Sequence, residues 1–140
     1  PGGGTVQPFN LENLGTESMF FQAFHPQAVE SYLADCLAPN LVAVIRKTMA
    51  EAGCPGQTPD YLALRHLRPP ERSRVLQELN LREQQSDSLA DVGHHGPNDV
   101  IISLDRGLKR GAIKAGSRVV LAAAGIGFTY GAALIQWGPA

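Results

Sequence analysis

The sequence predicts a layered α/β domain, and two features carry that reading. Segments whose apolar residues recur at helical spacing alternate with short continuous apolar runs bounded by turn residues, the pattern of helices covering a buried sheet. The last such run is followed by a glycine-punctuated turn and one more apolar segment, which predicts a terminal hairpin. At 140 residues the chain is one domain by length, long enough to bury roughly two thirds of the surface its unfolded form exposes.

Taken in order, residues 1–18 carry glycine, proline and asparagine without period and read as a loop, with room for a short strand near Thr5–Phe9. The start, Pro1-Gly2-Gly3-Gly4 without a methionine, suits a processed product, an excised domain or the ordered remainder of a longer chain, and the glycines also suit a tag scar. From Gln27, Val29, Tyr32, Leu33, Cys36 and Leu37 recur at helical spacing; Pro39-Asn40 interrupts, and Leu41, Val44, Ile45 and Met49 resume the pattern. That predicts two helices or one bent helix, with Asn40 as an N-cap and Gly53 as the stop.

Tyr61–Leu64 is short and apolar and reads as a buried strand leading to His66. Pro69-Pro70-Glu71 opens a helix, because proline fits the first turn and a carboxylate there complements the helix dipole. Val75, Leu76 and Leu79 form its buried stripe. The polar stretch that follows offers a strand near Ser88–Val92. Pro97 or Asn98 begins another helix, expected to turn Ile101, Ile102, Leu104 and Leu108 inward and to stop at Gly111. Arg118–Ala124 then has the continuity of a strand covered on both faces, and Phe128–Trp137 returns as the last strand.

Composition excludes several classes. A net charge of -1 with no lysine or arginine cluster argues against a groove that tracks nucleic-acid phosphates. No apolar run approaches the roughly 20 residues of a membrane span, and no signal-peptide pattern leads the chain, so a soluble, cytoplasmic protein is expected. Cys36 and Cys54 are too few for a disulfide framework and read as buried free thiols in helical contexts. His95 with Asp99 suggests a metal, but adjacent histidines point apart and no third ligand follows at useful spacing, so no metal is expected. Arg65, Arg68, Arg72 and Arg74 read as a solvated helix face, or as a surface for an acidic partner or a phosphate.

Three loops stand out: His66 after its strand, Gly93-His94-His95-Gly96-Pro97-Asn98-Asp99, and Gly125-Ile126-Gly127-Phe128-Thr129-Tyr130-Gly131. Glycine-bordered turns beside apolar elements are where a scaffold presents polar groups to a ligand. Asn98 is either an N-cap or a side-chain donor in its loop.

The tail Leu104-Asp105-Arg106-Gly107-Leu108-Lys109-Arg110-Gly111-Ala112-Ile113-Lys114-Ala115-Gly116, the apolar run after it, and Gly125-Ile126-Gly127-Phe128-Thr129-Tyr130-Gly131 together resemble the C-terminal half of a thiolase-fold condensing enzyme. The nearest likeness is to β-ketoacyl-acyl-carrier-protein synthase III and its acyltransferase relatives, whose pattern is a "GxIxxGd" turn, an apolar strand and "GxGFTWG". Weaker likenesses lie upstream, in Pro59-Asp60-Tyr61 before the family's "HQAN" loop and in Gly2-Gly3-Gly4 with Pro8.

The resemblance implies one half of a thiolase-like fold, a layered mixed sheet covered by helices, with residues 1–18 a linker from a missing N-terminal half and 19–140 the C-terminal domain. It implies acyl transfer or condensation from a thioester of coenzyme A or an acyl carrier protein, with no resident cofactor and with a homodimeric complete enzyme. The family's nucleophilic cysteine lies in the N-terminal half, and neither Cys36 nor Cys54 has its strand-to-helix setting, so this chain alone is not expected to be competent. By position His66 matches the family histidine and His94 its asparagine, two groups that donate to the thioester oxygen. Leu67-Arg68-Pro69 replaces the residues that orient that histidine. Histidine in place of asparagine adds an acceptor and favours general-base work. Gly125, Ile126 and Gly127 match the second oxyanion hole. The rival expectations are a non-catalytic partner subunit and an acyl-carrier-binding module.

Overall fold

The computed structural model describes residues 26–125 and 128–138; the expected linker and the short strand near Thr5–Phe9 lie outside them. Helix α1 spans Pro26–Glu51, strand β1 Tyr61–Leu64, α2 Pro69–Glu78, α3 Asp99–Lys109, β2 Arg118–Gly125 and β3 Thr129–Gln136. The three strands form a mixed sheet in the order β1-β2-β3. β1 pairs parallel to β2, with Tyr61 opposite Val119, and β2 pairs antiparallel to β3, with Gly125 opposite Thr129.

Helices cover both faces of the sheet. On one face Leu37, Leu41, Val42, Ile45 and Met49 of α1 and Val75 and Leu76 of α2 meet Leu62, Leu64, Val120 and Ala122. On the other, Leu104 and Leu108 of α3 pack with Tyr61, Ala63, Ile113 and Val119. The alternation within β1 explains the division, since Leu62 and Leu64 face one layer while Tyr61 and Ala63 face the other. α2 follows the expected stripe, with Val75, Leu76 and Leu79 all buried.

Three expectations are corrected. α1 is one continuous helix with Pro39 inside it, and Asn40 is mid-helix and no N-cap. Proline there removes a backbone bond and crowds the preceding turn, but Leu37, Ala38, Leu41 and Val42 around it are buried, and that packing holds the helix together. Ser88–Val92 is not a strand: the amides of Val92 and Gly93 both donate to the carbonyl of Leu89, closing a turn with Leu89 buried beneath it. Cys54 lies just past the end of α1 instead of within a helix, and both cysteines are free and half-buried.

A further correction concerns α3. Ile101, expected inside, is 55% exposed, and the fully buried positions are Asp99, Ser103 and Gly107. These are four apart and share one face of the helix. The Tyr61 ring dictates this choice. A Cβ on Gly107 would lie 2.6 Å from Tyr61 Cζ and 2.8 Å from Ile113 Cδ1, so only glycine admits the ring. The Tyr61 hydroxyl donates to the Ser103 carbonyl at 2.8 Å. Burial pushes that hydroxyl's pKa up, against the pull of the Ser103 bond.

Candidate functional site

The site begins where β1 ends. The amide of Arg65 donates to the Ala122 carbonyl, continuing the ladder one residue past the strand. Arg65 therefore keeps the parity of Tyr61 and Ala63 and lies on the α3 side of the sheet, with His66 on the opposite parity. The Arg65 guanidinium donates from Nη1 to the Ala124 carbonyl at 2.7 Å, tying the end of β1 to the end of β2. Its Nη2 lies 3.4 Å from His94 Nε2, and its Nε is buried with no hydrogen-bond partner among the described residues.

The loop before α3 is shaped by Gly93 and Gly96, whose φ angles of 78° and 62° are left-handed values that disfavour a side chain. The two glycines turn the chain so that three donors meet Asp99. Asp99 Oδ1 accepts from the His95 amide at 2.7 Å. Its Oδ2 accepts from the His66 amide at 2.8 Å and lies 2.5 Å from His94 Nδ1. Burial pushes the Asp99 carboxyl up, but the amides of His95 and His66 and the His94 imidazole outweigh it and hold the group below the usual carboxylate range. Asn98 makes no capping bond through its side chain, and the carboxylate at the first position of α3 complements the dipole instead.

Arg65 and His94 open onto a cleft of about 630 Å³ whose other walls are Pro97 and Val100 at the start of α3 and Leu121, Ala123, Gly125, Thr129, Gly131 and Ala133 of the hairpin. The lining is apolar apart from Arg65, His94 and Thr129. Of the residues singled out from sequence, the cleft brings together His94 and Gly125 with Gly96, Pro97, Thr129 and Gly131 of the same loops. Ile126 and Gly127 lie outside the described residues. His66 does not line it, and its bond here is the backbone amide given to Asp99. Sequence reasoning missed Arg65 as a site group, although the period of two through Tyr61 and Ala63 points to it. Asp99 was weighed only as a metal ligand. Among the described residues no three His, Cys, Asp or Glu side chains gather as a metal site. Arg68, Arg72 and Arg74 are engaged with Glu71, Glu83 and Glu78. No helix of the described residues is long and apolar enough to cross a membrane.

The fold recurs in solved structures. The 3-oxoacyl-(acyl carrier protein) synthase III of Pseudomonas aeruginosa superposes with a TM-score of 0.71 at 19% identity, over 79% of this chain and 34% of that one. OleA of Xanthomonas campestris does so with 0.60 at 21% identity, over 72% and 32%. The fold is thus that of one half of a thiolase-like α/β enzyme. Residues 49–137, more than half of the chain, match the family described as 3-oxoacyl-[acyl-carrier-protein (ACP)] synthase III C terminal, and the chain belongs to that family. It is 35% identical over 101 residues to the β-ketoacyl-[acyl-carrier-protein] synthase III of Gloeobacter violaceus, covering 68% of this chain and 29% of that protein. A chloroplastic synthase III of Cuphea wrightii is 28% identical over 95 residues, 67% of this chain and 24% of that one. The chain spans roughly a quarter to a third of the length of these relatives.

Proposed function

We propose that this chain forms the C-terminal side of a site that transfers an acyl group from a thioester, with the attacking cysteine supplied by an N-terminal half outside these residues. The observation that carries the reading is the convergence of Arg65, His94 and the strand ends at Gly125 and Thr129 on one cleft in a chain of the synthase III family. Cys36 and Cys54 do not line that cleft, which supports a nucleophile from outside these residues. The apolar sheet surface at Leu121, Ala123, Gly131 and Ala133 gives a second half something to cover. The guanidinium of Arg65 supplies N–H donors to the thioester oxygen, and backbone amides at Gly125–Gly127 supply the second oxyanion hole. The substrates are acyl-coenzyme A or the phosphopantetheine thioester of an acyl carrier protein, no resident cofactor takes part, and the complete enzyme is a cytoplasmic homodimer.

The test uses the full-length protein incubated with acetyl-, butyryl- or octanoyl-coenzyme A, with intact mass read under denaturing conditions and coenzyme A release followed in time. The protein gains the acyl mass. Arg65→Ala lowers turnover about 100- to 1000-fold, the usual effect of losing one oxyanion donor, while His66→Ala, which keeps its backbone bond to Asp99, stays within about threefold. A crippled His66→Ala beside an unchanged Arg65→Ala would reverse the assignment. A full-length protein that gains no acyl mass would favour a non-catalytic partner subunit or a carrier-binding module.

A further inference from the structure

Arg65 is a cation short of acceptors. Its side chain is half-buried just past the end of β1, and among the described residues two acceptors meet it, the Ala124 carbonyl at Nη1 and His94 Nε2 at Nη2. A guanidinium carries five N–H donors and keeps its charge. Arg68, Arg72, Arg74, Arg106 and Arg118 each lie within 4.0 Å of a carboxylate; Arg65 has no such partner among the described residues. The acid in its own network, Asp99, stands behind His94, with its oxygens given to the His94 ring and to the His66 and His95 amides. Around Arg65 the cleft wall is apolar, formed by Leu121, Ala123 and Ala133. A charged fork with unfilled donors beside such a wall is costly unless a ligand brings an anion to it. A carboxylate fills that need, because its two oxygens match the guanidinium geometry, and methylene groups suit the wall.

We infer that the acyl group taken at this site carries a carboxylate of its own on a short methylene chain, as in a succinyl or glutaryl thioester, and that Arg65 selects it. The inference rests on the thioester reading above and deepens it by naming the acyl class. The chain must be short, since two or three methylenes let the thioester oxygen and the carboxylate fold back onto one guanidinium. The carboxylate passes through the reaction unchanged. The acyl carbon exchanges its bond to the sulfur of coenzyme A for one to the enzyme's nucleophile, and coenzyme A leaves as its thiol with the proton that the nucleophile gives up. No carbon dioxide is lost, which separates this donor from a malonyl acceptor, whose carboxylate departs.

The experiment incubates the full-length protein in turn with succinyl-, glutaryl-, butyryl- and succinamoyl-coenzyme A, the last a neutral isostere of the first. Intact mass reads the acyl group gained, and coenzyme A release gives kcat/KM for each. Succinyl is expected to exceed butyryl and succinamoyl by at least about 10-fold, the effect of a hydrogen bond between charged groups. In Arg65→Gln the succinyl value falls to or below the butyryl value. This ratio separates two roles of Arg65, because losing a donor to the thioester oxygen alone slows all four substrates equally. A ratio unmoved in Arg65→Gln therefore overturns the inference, and a raised KM for malonyl-coenzyme A in that variant would then move the carboxylate to the acceptor. Should Arg65→Gln fail to fold without its tie to Ala124, the wild-type choice between succinyl and succinamoyl still decides the matter. Equal use of those two, or a preference for butyryl, overturns the inference and leaves the thioester reading intact. No acyl mass gained from any of the four would overturn both.

Discussion

Asp99 is completely buried and still charged at neutral pH. Three donors make this possible, and their effect on stability follows by linkage. A carboxyl whose folded pKa lies below its unfolded value of about 3.9 contributes stability that is fully present above that value and is lost as pH falls through the folded one. Asp99→Asn replaces an acceptor oxygen with an N–H₂ group, which leaves at least one of the His66, His95 and His94 donors facing another donor. The expected cost at pH 7 is about 1–3 kcal/mol, the range for an unsatisfied buried group, and it shrinks below about pH 4, where the parent loses the same contribution. Urea melts of both proteins between pH 3 and 7 check this; a constant difference across that range would refute it. The same residue shows what sequence could and could not reveal. His94 was legible from its glycine-flanked loop and its resemblance to an asparagine position. Asp99 was visible only as a neighbour of His95, because its role depends in part on the His66 amide, from a loop 33 residues earlier.

At the scale of elements, strands and the α2 stripe were legible because their signals are local: continuous apolar runs, a proline pair and a carboxylate at a helix start. α3 was not, because its buried face is set by a ring from another element. Its apolar residues suggested Ile101 inside, whereas Tyr61 demanded the Asp99, Ser103, Gly107 face. This contact makes a sharp prediction. Gly107→Ala gains about 1 kcal/mol in helix propensity but drives a methyl into a buried ring, and overpacking of that kind costs about 1–3 kcal/mol. The protein is expected to lose about 1 kcal/mol net, read as a lower denaturant midpoint with an unchanged slope. A higher midpoint would show that α3 can slide away from Tyr61. Helix α1 erred in the other direction. Pro39 signalled a break that packing overrode, since Leu37, Leu41 and Ile45 on either side of it belong to one core cluster.

For the whole molecule, the cluster on the α1 side joins residues from two helices and two strands, so it should melt as one unit. Leu41, fully buried within it, tests this: Leu41→Ala is expected to cost about 2–5 kcal/mol and to shift far-ultraviolet and tyrosine signals together. Separate transitions for the two probes would mean that the helical layer and the sheet unfold independently. The half-fold itself was legible from the run between Leu104 and Leu134, whose spacing is rigid because one helix, one turn and a hairpin follow one another without insertion.

The parallel pairing of β1 with β2 also orders events in time. Tyr61 finds its partner Val119 only after the intervening 57 residues have been made and folded back, and closing so long a segment is entropically slow. A chain emerging from the ribosome therefore already carries Arg65, His94 and Asp99 while the Leu121–Ala133 wall of the cleft does not yet exist. The cleft is thus a late-formed feature, and a protein truncated before the hairpin would hold these side chains without the wall they face.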